Sequence, residues 1–163
     1  MPSAIQAPGL RIIALALPFV FAVHVAEEAP SFVAWFNSLV TPGITQGQFL
    51  SVNATAFFIT LAIGSFVAMT RDTALSILAV AWIGFLMLAN GLFHLVGTLV
   101  LLRYSPGVVT GSLLYLPVSI LFMRAVVREC GIPWATVVLV ALIGGVPMYV
   151  HGYLIVFRGS KLF

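Results

Sequence analysis

Five apolar stretches of about twenty residues or more divide the sequence, and short polar or Pro/Gly breaks separate them: Pro30, Thr41-Pro42-Gly43, Arg71-Asp72, Arg103 to Gly107, and Arg128-Glu129 followed by Gly131-Ile132-Pro133. A stretch of this kind has few structural options. In hydrocarbon no water satisfies the backbone, so a segment must close its own hydrogen bonds as a helix, and about twenty residues cross the bilayer. The pattern predicts an all-α, polytopic membrane protein. Residues 1–163 form one five-helix transmembrane domain, with spans at about 10–29, 48–69, 73–102, 108–127 and 133–157. Only 7% of residues are charged, against about 25% in average globular sequences, which excludes a water-soluble domain. The scattered basic residues form no nucleic-acid tract and read as membrane flanks. The lone Cys130 excludes an internal disulfide.

Residues 1–9 read as a short polar tail. Arg11 and the run after it superficially resemble a signal peptide, but no small-x-small cleavage site precedes Glu27, so the first span is expected to be retained. Pro18 inside it is tolerable where neighbours re-satisfy the freed carbonyl. Residues 31–46 carry no formal charge, and Phe32, Trp35 and Phe36 predict a short interfacial helix. With five spans the termini lie on opposite sides. Arg11, Arg71, Arg124 and Arg128 fall on the N-terminal side, against Arg103, Arg158 and Lys161 on the other, which favours a cytoplasmic N-terminus by a small margin. The expected setting is the inner (plasma) membrane of a bacterium or archaeon.

The acidic residues number four and the histidines three, and His24, Glu27 and Glu28 fall within about one helical turn at the end of the first span. At i, i+3 and i+4 they share a helix face. Asn90 and His94, four apart, project from neighbouring turns of the third span. Depth links these groups. His24 lies six residues before Pro30, His94 nine before Arg103 and His151 seven before Arg158, while Asn53 and Tyr115 lie about five and eight residues into helices running the other way. At 1.5 Å per residue, all five fall roughly 8–14 Å below one surface. Intramembrane ionisable residues normally face the bundle interior and mark function. The bland alternative is that Glu27 and Glu28 snorkel to the interface. Two carboxylates in the last turn of a helix oppose its dipole, at about 0.3–1 kcal/mol each when exposed. They should therefore recruit a metal ion, Arg103 or Arg158, or share a proton. The Asn53-Ala54-Thr55 sequon falls inside a span and is set aside.

The stretch His24-Val25-Ala26-Glu27-Glu28 resembles the defining motif of the HXXEE-domain family of small integral membrane proteins. Asn90-Gly91-Leu92-Phe93-His94 and Tyr104-Ser105-Pro106-Gly107 resemble further blocks of that family, in order, and the likeness runs from about residue 12 to about 155. The resemblance implies a polar centre of enzymatic type, with no reaction attached. His151 enters on depth alone.

The first reading is an intramembrane enzyme acting on a lipid-like or isoprenoid-like substrate. Its metal-assisted form uses a divalent Zn or Fe held by His24, Glu28, His94 and His151, with Glu27 as base or supporting partner. Its metal-free form uses the carboxyl pair as acid and base with histidine as shuttle, for isomerisation or cyclisation. Glu27, Glu28, His24, His94 and Asn90 are the candidate catalytic residues. Asn53, Tyr115, Trp35, Tyr104 and Arg103 are candidate substrate contacts, the aromatic rings shielding a developing cation. The second reading is a proton-coupled carrier or small-molecule binder. It lacks the internal repeat common in transporters, which a homodimer would supply. The expected partners are membrane lipids and a hydrophobic small molecule.

Overall fold

The computed structural model describes residues 9–70 and 72–163; most of the expected polar tail, and Arg71 of the expected turn, lie outside the described residues. Five helices are long and apolar enough to cross a membrane: α1 Leu10–Glu28, α3 Gln46–Thr70, α4 Thr73–Leu101, α5 Val108–Cys130 and α6 Trp134–Arg158. Between the first two lies the short α2, Phe32–Asn37. No strand occurs among the described residues. The architecture is that of an all-helical integral membrane protein, and every span starts and ends within three residues of its expected bounds.

The one shift of consequence is in α5. The helix continues through Arg128 and Glu129 to Cys130, and the left-handed Gly131 ends it at φ +67°. Glu129 thus stands on the last turn, where its Oε1 accepts the Leu10 N–H at 2.7 Å and covers the start of α1. Pro18 leaves α1 unbroken.

Packing follows from small residues. α1 lies along α3, and α4 along α6. A Cβ on Gly84 would stand 2.3 Å from the Ala141 carbonyl oxygen, and one on Gly144 would stand 2.2 Å from that of Ala81. Bare backbone at both glycines lets α4 and α6 touch. Large apolar side chains such as Ile12, Phe19, Val52, Phe58 and Phe66 point outward, as lipid contact requires.

Two wide, π-helical turns interrupt the spans, Gly84–Ala89 in α4 and Gly111–Tyr115 in α5. Such turns change the angular phase of all that follows and recur at functional sites. Here they flank the polar centre. In an ordinary α-helix residues five apart point well away from each other, yet Thr110 and Tyr115 both reach His24. The wide turn puts them on one face.

A buried histidine and glutamate centre

His24, Glu28 and His94 meet between α1 and α4, and one ligand atom from each lies within 4.8 Å of the other two. Glu28 Oε1 is 3.1 Å from His94 Nε2 and 3.6 Å from His24 Nε2. All three are closed off from solvent, with relative exposures of 1% for His24, 4% for Glu28 and 0% for His94. The imidazoles meet edge to face at 5.1 Å, and Tyr115, itself fully buried, stacks on His24 at 4.0 Å. Neither Nε2 has a hydrogen-bond partner, since the 3.1 Å approach of His94 to Glu28 lies off the bond direction.

Glu27, one residue away, is in the opposite situation. Its Oε1 accepts from Tyr104 Oη at 2.7 Å and from the amides of Gly107 and Val109 at 3.1 Å each. Its Oε2 accepts from the Thr110 amide at 2.7 Å and the Thr110 hydroxyl at 2.5 Å. These amides form the open N-terminus of α5, where unpaired N–H groups and the helix dipole favour an anion. The countercharge sought for the end of α1 is, for Glu27, the beginning of a neighbouring helix. Arg103 does not supply it; its Nη1 donates to Ser38 Oγ at 3.1 Å. The bond to Glu27, with some burial and the glutamate's charge, pushes the Tyr104 phenol up to about 12.

Counting protons along this chain fixes one imidazole. Five donors on one carboxylate leave no place for a proton, so Glu27 is ionised. The Thr110 hydroxyl spends its only hydrogen on Glu27 and must accept from His24 Nδ1, 2.8 Å away. His24 thus carries a proton on Nδ1, and its Nε2 faces Glu28. His94 is held in a parallel way, with Nδ1 at 3.0 Å from Ser105 Oγ and Nε2 facing the same carboxylate.

The Tyr104–Gly107 loop closes the centre. Gly107 has φ +100°, and a Cβ there would lie 2.8 Å from His24 Cε1 and 2.9 Å from His94 Cε1. Only glycine meets both conditions. Above His94, Phe32 of α2 stands edge-on at 6.1 Å and Phe93 at 5.0 Å, with Trp35 buried against both.

The remaining expected residues divide. Asn90 heads the helical segment that carries His94, and its buried Oδ1 has no partner. Asn53 turns its amide back to the Phe49 carbonyl at 2.9 Å. Trp35 and Tyr104 are roof and anchor, respectively. His151 stands outside the group of three: its Nδ1 accepts the Leu162 N–H at 3.2 Å, and its ring stacks on Phe163 at 4.0 Å. Its partners belong to the C-terminal segment. Ser105, Gly107 and Thr110 were not singled out by sequence as parts of the centre. The available signal for Ser105 and Gly107 was their place in the Tyr104-Ser105-Pro106-Gly107 block; Thr110 carried none.

Fold and site together define an integral membrane protein with a buried His–Glu–His centre. The chain matches the family described as a protein of unknown function with HXXEE motif over residues 15–122, and it belongs to that family. The matched region holds His24, Glu27, Glu28, His94 and Thr110 and ends before His151. No curated protein and no solved structure matches the chain.

Proposed function

We propose that this protein is an intramembrane enzyme that transforms a lipid-like or isoprenoid-like molecule at the His24–Glu28–His94 centre. The observation that carries the proposal is the convergence of three ionisable side chains, all nearly inaccessible, on one point inside an apolar bundle. Burying a carboxylate without hydrogen-bond donors is costly, and such groups in membranes mark functional sites. Glu28 is the group that exchanges a proton with the substrate or holds a bound cation. The Tyr115 hydroxyl, buried and unpartnered beside His24, is the group to orient the substrate's polar end.

The substrate class follows from the surroundings. A groove of about 300 Å³ runs between α4 and α6, lined by Phe93, Val96, Met148, Tyr149 and Tyr153 among others. Phe93 lines it and meets the His94 ring at 5.0 Å. A single apolar chain lying there would bring its polar end towards the centre from within the bilayer. Lipids of a bacterial or archaeal plasma membrane are the expected source.

The test is mass spectrometry of lipids after incubation with the purified protein in vesicles made from total membrane lipid. The wild type should consume one lipid species, while Glu28→Gln and His94→Ala, both membrane-inserted, should not. Equal profiles from all three proteins would remove the enzymatic reading. Movement of an unaltered lipid across the bilayer would identify a carrier instead.

A further inference from the structure

We infer that the centre is a mononuclear site for a divalent transition metal, held by His24 Nε2, His94 Nε2 and the Glu28 carboxylate, with Glu27 and Thr110 as positioning residues. The inference concerns the same centre as the enzymatic reading but stands on the donor set and not on the reaction. Three observations carry it. The two Nε2 atoms are buried, unpartnered and aimed at one carboxylate oxygen. His24 Nδ1 is committed to the Thr110 hydroxyl, which leaves Nε2 as the ring's ligand atom. A buried carboxyl group with two imidazole nitrogens 3.1 and 3.6 Å away needs a proton or a cation among the three.

A metal ion meets that need. Imidazole nitrogen and carboxylate oxygen are ligands for zinc and for ferrous iron, and three protein ligands leave a position open for chemistry. A four-coordinate ion with bonds of about 2.0–2.1 Å has edges of about 3.3 Å between its ligands. The two Glu28 edges, 3.1 and 3.6 Å, bracket that value. Each ligand histidine also has its other nitrogen on a hydroxyl, Thr110 for His24 and Ser105 for His94. This outer bonding orients metal-binding histidines in general and fixes their tautomer. For His24 the chain extends to a carboxylate, so Glu27 acts on the metal through Thr110 and the ring. With a divalent ion, Glu28 and Glu27 bring the net charge of the assembly to zero.

The test uses the detergent-purified full-length chain, stripped and then titrated with Zn²⁺, Fe²⁺ or Co²⁺ alone. The expected result is one ion per chain, with a nitrogen/oxygen shell at about 2.0–2.1 Å and no sulfur by X-ray absorption. His24→Ala, His94→Ala and Glu28→Gln should lose the ion, while His151→Ala retains it. Thr110→Val should weaken binding about tenfold to a hundredfold, with Thr110→Ser restoring it. Helical circular dichroism and a single gel-filtration peak establish folding of each variant. No stoichiometric ion in folded wild type, full binding by His94→Ala, or full binding by Thr110→Val would each overturn the assignment. Lipid turnover without metal would overturn it and leave the enzyme standing. A bound ion without turnover would support it and remove the enzymatic reading.

Discussion

Helices α1 and α5 run antiparallel, and at each end of the pair a glutamate from one covers the first amides of the other. At one end Glu129, on the last turn of α5, takes the Leu10 amide. At the other, Glu27, near the end of α1, takes the amides of Gly107, Val109 and Thr110. Asp72 does the same locally for α4, accepting from the Leu75 amide at 2.9 Å. Three of the four acids in the sequence are therefore used as anions at helix N-termini. Glu28 is the exception. The Glu129 end is complete with one carboxylate, whereas the Glu27 end adds a second one, places it where no amide reaches, and surrounds it with two imidazoles. That surplus acid separates a structural end from a chemical one.

The contrast can be broken in order of expected effect. Glu28→Gln should abolish lipid turnover, and His94→Ala likewise, with retained membrane insertion; activity in both would make the two ends equivalent. Gly107→Ala comes next. A positive φ costs a non-glycine residue roughly 1–2 kcal/mol, and the methyl group would displace both rings. Turnover should fall at least about tenfold, the factor that roughly 1.4 kcal/mol represents. Glu27→Gln should act through stability. Losing charge-assisted bonds at the start of α5 should cost about 2 kcal/mol in denaturant titration.

The same variant has a sharper readout. Tyr104 holds its proton to about pH 12 beside Glu27, above the ordinary value of 10. A raised phenol contributes stability that is fully present below pH 10 and is lost as pH rises through about 12. In Glu27→Gln the ultraviolet titration of Tyr104 should return towards 10, and an unmoved curve would detach Tyr104 from the centre. The smallest effect is expected from Glu129→Gln. A charge at a helix N-terminus contributes about 0.3–2 kcal/mol, and Glu129 takes one such amide where Glu27 takes three, so thermal stability should drop slightly while turnover stays at the wild-type level.

Hydropathy made the five spans legible, because only length and apolar content decide whether a helix crosses. That His24, His94 and Tyr115 share one level was legible too, since the rise per residue is fixed by the helix and the three side chains meet. Direction around the axis was not. His151, counted to the same level, faces Phe163 and Leu162, and Asn53 bonds its own helix. Counting at 3.6 residues per turn fails across the wide turns at Gly84–Ala89 and Gly111–Tyr115. The second of them brings Thr110 and Tyr115 to one imidazole. The partner of Glu27 escaped for a different reason: backbone amides carry no mark in a sequence, and the countercharge was sought among arginines.

The reach of Glu27 also orders the birth of the molecule. Its carboxylate meets the Gly107 amide 80 residues further along the chain. α3 and α4 lie between the two in sequence, so the bonds that Glu27 makes close only once α5 has been synthesised. Glu28 has His24 four residues back on its own helix, but His94 comes with α4. The centre is complete only when three separate spans are in place.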